Sequence, residues 1–201
     1  MDEKITRLKK VNVSRFRKFG QLLLPTILFF CSIFSYAIQD LANEPGITQI
    51  FQDSKGFIWL SGQKGLHRYD GSNIIKFSNA PSNWNIPFNW IQSVALDQDT
   101  FFIGTENNGM WRFNSTNGQI EKVQIPDSHT HVPFLTKINN TVLYTQLHNV
   151  YSYNLVSNNH SKIAELNKVT FICNTEKYVY AGSSEKIVKI DNVSLSVMEE
   201  I

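Results

Sequence analysis

The sequence predicts an all-β fold assembled from a repeated unit of four short antiparallel strands, and three observations predict it. A six-residue strand pattern occurs four times, at spacings of 44, 40 and 37 residues. Polar turns, among them Asp70-Gly71 and Asn117-Gly118, fall where hairpins need them. No apolar period of 3.6 residues is found after residue 40, which excludes helical solenoids, doubly wound sheets and α/β barrels. A repeat near 40 residues made of four short strands is the signature of a β-propeller blade.

The recurring strand reads Gly65–Asp70, Gly109–Asn114, Asn149–Asn154 and Lys186–Asp191. Its second position is aliphatic each time: Leu66, Met110, Val150, Ile187. Its fifth is large and apolar: Tyr69, Phe113, Tyr153, Ile190. Positions three and five share a face because side chains alternate along a strand. That mostly aromatic face is expected to pack on the next blade. The sixth position is Asp or Asn, which turns the chain by bonding its own backbone. A strand apolar on both sides precedes it: Phe57–Gly62, Phe101–Thr105 and Tyr178–Gly182. That is the pattern of a strand in the middle of a sheet packed between neighbours. Ile47–Phe51 and Ile91–Leu96 begin the first two units, and Ile74–Phe77 and Ile120–Val123 end them. Four units are the small extreme for a closed ring. Leu195–Ile201 reads as a strand still in progress, so the ring is expected to be incomplete.

The stretch Ile47–Phe77 carries an Ile-x-x-Ile strand, the turn Asp53-Ser54-Lys55-Gly56, Phe57-Ile58-Trp59-Leu60 and Gly65-Leu66-His67-Arg68-Tyr69-Asp70. It resembles the two-component-regulator propeller repeat. Leu60-Ser61-Gly62 departs from that family's Ile-Gly-Thr, which Ile103-Gly104-Thr105 restores in the second repeat. The third and fourth repeats lack both the Trp and the Gly-Leu pair. The resemblance implies an extracytoplasmic sensor segment of a bacterial receptor, whose intact parent passes a signal to a histidine kinase or diguanylate cyclase and is expected to dimerise. It also implies an extracellular glycan or another small ligand as the partner. A stand-alone periplasmic binding or scaffold propeller is the alternative, with a propeller lyase or hydrolase behind it.

Charge and cysteines agree with export. Seven of the 19 basic residues lie in the first twenty positions, and an apolar run from Leu22 to Phe34 follows, ending in Ser35-Tyr36-Ala37. This order matches a secretory signal cut after Ala37. Left uncut, residues 1–37 are a membrane-anchoring helix. Residues 38–201 then form the propeller repeats, with twelve basic residues against fifteen acidic ones. A net charge of −3 gives nucleic acid nothing to bind. Cys31 leaves with the signal, and Cys173 is left without an intrachain partner, as a small buried core residue.

No nucleophile elbow, zinc-protease motif or phosphate loop is present, so neither catalysis nor a cofactor is expected. Asp53, Asp70, Asp97 and Asp191 recur at turns, which explains them structurally. His129-Thr130-His131 offers two imidazoles but no third ligand, and reads as a solvated loop; His67, His148 and His160 stand isolated. Trp84 and Trp90 flank an inter-blade loop, and with Trp111 they are the candidate ligand-binding residues. The competing role for that loop is to cap the apolar edge between the first two blades.

Overall fold

The computed structural model describes residues 46–77, 86–126 and 129–201. Residues 1–37, read above as an export signal or anchor, and Trp84 lie outside the described residues. All of the described strands belong to the unit Glu44–Ile201. Its described residues contain no helix, and so none long and apolar enough to cross a membrane.

Among the described residues, sixteen strands form four sheets. The first sheet holds β1 (Ile47–Gln52), β2 (Ile58–Gly62), β3 (Gly65–Tyr69) and β4 (Ile74–Lys76). The second holds β5 (Ile91–Asp97), β6 (Thr100–Thr105), β7 (Met110–Asn114) and β8 (Ile120–Val123). The third holds β9 (Leu135–Ile138), β10 (Thr141–Gln146), β11 (Asn149–Asn154) and β12 (His160–Glu165). The fourth holds β13 (Phe171–Asn174), β14 (Tyr178–Gly182), β15 (Ile187–Asp191) and β16 (Val197–Glu200). Each sheet is an up-and-down meander in chain order, antiparallel throughout. The first strands of successive sheets lie side by side: β1 by β5, β5 by β9, β9 by β13. Four-stranded meanders stacked edge to edge along their first strands are propeller blades.

The sixth-position Asp or Asn makes the same turn in all four blades. Asp70 Oδ1 accepts from the backbone N–H of Ser72 (2.8 Å) and Asn73 (2.7 Å). Asn114 Oδ1 does so from Thr116 (2.9 Å) and Asn117 (3.1 Å), and Asn154 Oδ1 from Val156 (3.0 Å) and Ser157 (2.9 Å). Asp191 Oδ1 completes the set with Val193 (3.0 Å) and Ser194 (2.8 Å). These bonds satisfy donors that the hairpin strands cannot reach. They hold the carboxyls of Asp70 and Asp191 below the usual carboxylate value. A carboxyl lowered in the folded state stabilises above its unfolded pKa, and that contribution is lost as pH falls through the folded one. The double variant Asp70→Asn, Asp191→Asn is therefore expected to keep both turns and lose less stability below about pH 4 than the parent. Thermal midpoints measured from pH 7 to pH 2.5 would expose the opposite result, two parallel curves.

The core lies between blades, in three seams. Trp59, Leu66 and Phe77 of blade 1 meet Phe101, Ile103 and Phe113 of blade 2. Phe102, Met110 and Val123 of blade 2 meet Val142, Tyr144, Tyr151 and Tyr153 of blade 3. Leu143 and Val150 of blade 3 meet Val179, Ala181, Val188 and Ile190 of blade 4. The third- and fifth-position face therefore packs on the preceding blade, and the second position faces the following one. This reverses the expectation drawn from the sequence. Alternation says which residues share a face; the handed twist and the order of the strands decide which neighbour that face meets.

Polar contacts also tie the first two seams. Gln49 donates from Nε2 to the Val94 carbonyl (3.0 Å) and accepts from the Val94 N–H (2.8 Å), bridging β1 to β5. Lys137 reaches Asp97 at 2.6 Å, between blades 3 and 2. Gly104 stands where the linker into blade 3 crosses β6. A Cβ there would lie 2.4 Å from the Val132 carbonyl oxygen, so the backbones can approach this closely only without a side chain. Cys173 is exposed on the first strand of blade 4, not buried as expected. Its neighbour Ile172 is half-buried, and the alternate face of that strand meets no further sheet among the described residues.

Candidate functional site

The site grows from the linker between blades 1 and 2 and from the turns beside it. Ile86 and Phe88 are buried in the first seam, so alternate residues of the linker cap the apolar edge. The residues between and after them, Pro87, Asn89 and Trp90, are left to face outward. The capping role expected of this loop is thus performed by Ile86 and Phe88, while Trp90 stays 49% exposed.

Trp90 adopts φ 54°, a left-handed conformation uncommon for a bulky residue. Two backbone bonds hold it there. Its N–H donates to the Gln63 carbonyl (3.1 Å), and its carbonyl accepts from the Glu106 N–H (2.9 Å). Both partners belong to the turn between the second and third strands of a blade. The backbone that carries the indole is therefore held by main-chain contacts with blades 1 and 2.

An open cleft of about 450 Å³ lies beside it, lined among the described residues by Ile86, Pro87, Phe88, Asn89, Trp90, Asn107 and Asn108. None of these side chains ionises. The cleft combines an aromatic face with three primary amides, which donate and accept hydrogen bonds at once. Its far wall is the turn Glu106–Asn108. Thr105 Oγ1 closes that turn by donating to the Gly109 carbonyl (2.8 Å) and accepting the Asn108 N–H (2.9 Å).

Trp111 does not line the cleft. It stands behind the cleft, with Nε1 donating to the Asn108 carbonyl (3.0 Å) and its ring 5.0 Å from that of Phe88. Lys122 Nζ lies over the ring at 5.8 Å. Trp111 thus props two wall residues. Of the two candidate tryptophans that are described, Trp90 lines the cleft and Trp111 supports its wall.

Of the histidine pair, His129 is exposed, as a solvated loop would have it, while His131 is held. His131 Nδ1 lies 3.2 Å from Glu106 Oε2 and 3.1 Å from the Glu106 carbonyl, and Gln92 Nε2 donates to the same carboxylate. The Gly109 N–H donates to the Thr130 carbonyl (2.7 Å), so the linker into blade 3 braces the cleft wall from behind. No group of three or more His, Cys, Asp or Glu that could hold a metal occurs among the described residues. The asparagines were missed by sequence reasoning. Asn107-Asn108 looks like any polar turn, and only its approach to Trp90 across the linker distinguishes it.

No family model matches this chain, and no curated protein does. Solved structures match well. The extracellular domain of BT4673 from B. thetaiotaomicron, described as a hybrid two component system, shares 22% identity at a TM-score of 0.63; the match covers 76% of this chain and 21% of that one. The extracellular domain of BT3049 from the same organism, described likewise, gives 16% identity and a TM-score of 0.64, covering 79% and 25%. This chain therefore spans a fifth to a quarter of those domains. Dihydro-heme d1 dehydrogenase NirN in complex with DHE also matches, at 9% identity and a TM-score of 0.60, covering 78% and 37%. At such identities the likeness is one of fold, and the fold hosts unlike functions. The described residues form a run of four β-propeller blades, similar in architecture to the extracellular domains of BT4673 and BT3049.

Proposed function

We propose that this chain is the extracytoplasmic sensor segment of a bacterial signalling receptor of the two-component-regulator propeller family, and that it recognises its ligand at the Trp90 cleft. The observation that carries this reading is the first repeat, Ile47–Phe77. Its motif is that of the family, and its blades share their architecture with extracellular domains of that description. The basic, apolar and small-residue order of residues 1–37 supports export. The chain acts by binding, not by catalysis, and the parent's output module is a histidine kinase or diguanylate cyclase.

The chemistry of the cleft favours a neutral, hydroxyl-rich ligand with a flat apolar face. An indole stacks on such a face, and the amides of Asn89, Asn107 and Asn108 pair with hydroxyls. A glycan has both features.

Two measurements test this. An alkaline phosphatase domain fused after Ile201 is expected to be active in the periplasm; an inactive, stably expressed fusion would remove the extracytoplasmic placement. Binding of neutral oligosaccharides, followed by calorimetry, is expected to weaken about 2- to 12-fold in Trp90→Ala, from the roughly 0.5–1.5 kcal/mol an aromatic contact carries. Unchanged affinity would move the ligand away from this cleft.

A further inference from the structure

Glu106 opens the turn that walls the cleft, yet among the described residues it is its neighbours Asn107 and Asn108 that line the space. The polar groups of Glu106 are engaged elsewhere. Its N–H donates to the Trp90 carbonyl (2.9 Å). Its carboxylate accepts from Gln92 Nε2. From the other side, His131 Nδ1 lies 3.2 Å from the same carboxylate oxygen and 3.1 Å from the Glu106 carbonyl. A carbonyl only accepts, so Nδ1 carries a proton and can serve both oxygens. The linker out of blade 1, strand β5 and the linker into blade 3 therefore meet on one residue.

Two irregularities of the chain coincide with these contacts. Trp90 sits at φ 54°. Ile91 pairs with Thr105 and Ser93 with Gly104, so Gln92 between them is the extra residue of a β-bulge. A bulge re-aims the side chain it carries. A left-handed conformation in a bulky residue persists only where the surroundings over-determine it. Glu106 bonds to both irregular residues, to Trp90 through the backbone and to Gln92 through the carboxylate. The segment 90–92 is thus gripped at its two ends by a residue of the opposite wall.

We propose that Glu106 is the positioning residue of the Trp90 cleft: its N–H and its carboxylate together hold the irregular segment 90–92 in the conformation that presents the indole to the same space as Asn107 and Asn108. Glu106 acts through Trp90 and touches no ligand itself. Without the carboxylate, Gln92 and His131 lose their shared acceptor, and the backbone bond alone is left to keep Trp90 in its left-handed setting.

Hydrogen exchange of single amides in the ligand-free full chain, normalised to intrinsic rates, reads this grip at the Glu106 N–H. In Glu106→Ala its protection is expected to fall about fivefold, the factor of one net hydrogen bond, while the amides of β10 in blade 3 keep theirs. Glu106→Gln retains an oxygen that accepts from Gln92 and His131 but lacks the charge that strengthens both bonds. Its protection is expected to fall only about twofold. In the same variants labelled with 5-fluorotryptophan, the Trp90 resonance, assigned by its loss in Trp90→Phe, should move in Glu106→Ala and return toward its original position in Glu106→Gln. The resonance of the fully buried Trp59 should stay in place in both. Unchanged protection with an unmoved Trp90 resonance in Glu106→Ala would overturn the proposal, as would a loss shared by β10 or an equal loss in the two variants.

The effect on binding rests on the reading of the Trp90 cleft as the ligand site. For a neutral oligosaccharide that binds the unsubstituted protein, affinity is expected to weaken about fivefold in Glu106→Ala and about twofold in Glu106→Gln. Affinity lost in Trp90→Ala but kept in Glu106→Ala would overturn the positioning role and leave the ligand site standing. Affinity kept in both would remove the ligand site, while the ligand-free measurements still decide whether Glu106 positions Trp90.

Discussion

Replacing Trp59 with alanine is expected to destabilise the protein by about 3–5 kcal/mol, the range for removing a fully buried aromatic side chain. Trp59 has no exposed surface and lies at the centre of the seam between blades 1 and 2. Its indole contacts Phe77 at 5.2 Å, Phe101 edge-on at 4.9 Å and Phe113 at 6.1 Å. The Arg68 guanidinium lies 5.7 Å from the same ring and 4.5 Å from Phe57, adding a cation–π contact from within blade 1. Truncation leaves a cavity bordered by rings, none of which can fill it without leaving its own seat. In a propeller such a loss also uncouples one blade from the next, because adjacent blades hold each other chiefly through these seams. Urea unfolding of Trp59→Ala beside Trp59→Phe provides the measurement. A loss below about 1 kcal/mol for alanine would contradict this account of the seam.

Removing the carboxylate of Asp53 is expected to cost about 2–4 kcal/mol, because three donors lose their acceptor together and one of them is buried. Oδ1 accepts from the backbone N–H of Lys55 (2.9 Å) and Phe57 (3.0 Å), which shapes the turn between β1 and β2. Oδ2 accepts from Trp59 Nε1 (2.8 Å), which fixes the indole in the seam. The carboxylate thus links a local turn to the inter-blade core, and it is itself buried. Asp53→Asn keeps an acceptor for the turn, so its loss should be smaller than that of Asp53→Ala. A double-mutant cycle with Trp59→Phe isolates the indole bond, since phenylalanine has no N–H to leave unpaired. The cost of Asp53→Ala should shrink by at least about 1 kcal/mol in that background. Equal costs in both backgrounds would show that the turn alone sets the effect.

These two residues also show how far a family motif can be read physically. Asp53 and Trp59 lie in one repeat, at the turn and on the strand that follows it. The second blade has Asp97 and Phe102 at the corresponding places. Phenylalanine has no indole donor, and Asp97 there pairs with Lys137 of blade 3 instead. Repeats of one pattern have kept the apolar seat and reassigned the charge.

Much of the fold was legible because its determinants are local. Short apolar runs between polar turns marked β2, β3, β6, β7, β14 and β15. The sixth-position Asp or Asn marked the turn that ends the third strand of each blade, since an Asx side chain bonds N–H groups only two and three residues away. Three things were not legible. The third- and fifth-position face of the hexamers in blades 2, 3 and 4 meets the preceding blade, although alternation can say only that its members lie together; the twist and winding order of the sheet choose the neighbour. Cys173 is exposed because its side of the strand meets no further sheet among the described residues, which no local sequence signal reports. The cleft and the His160 cluster join residues that are distant along the chain. Trp90 shares the cleft with Asn107 and Asn108 across a linker, and His160 meets Tyr144 two strands away. The sequence by itself determined the strands, the turns and the repeat, because each rests on neighbours along the chain. The tertiary structure decided which faces meet and which polar groups share a site, because those contacts exist only once the blades stack.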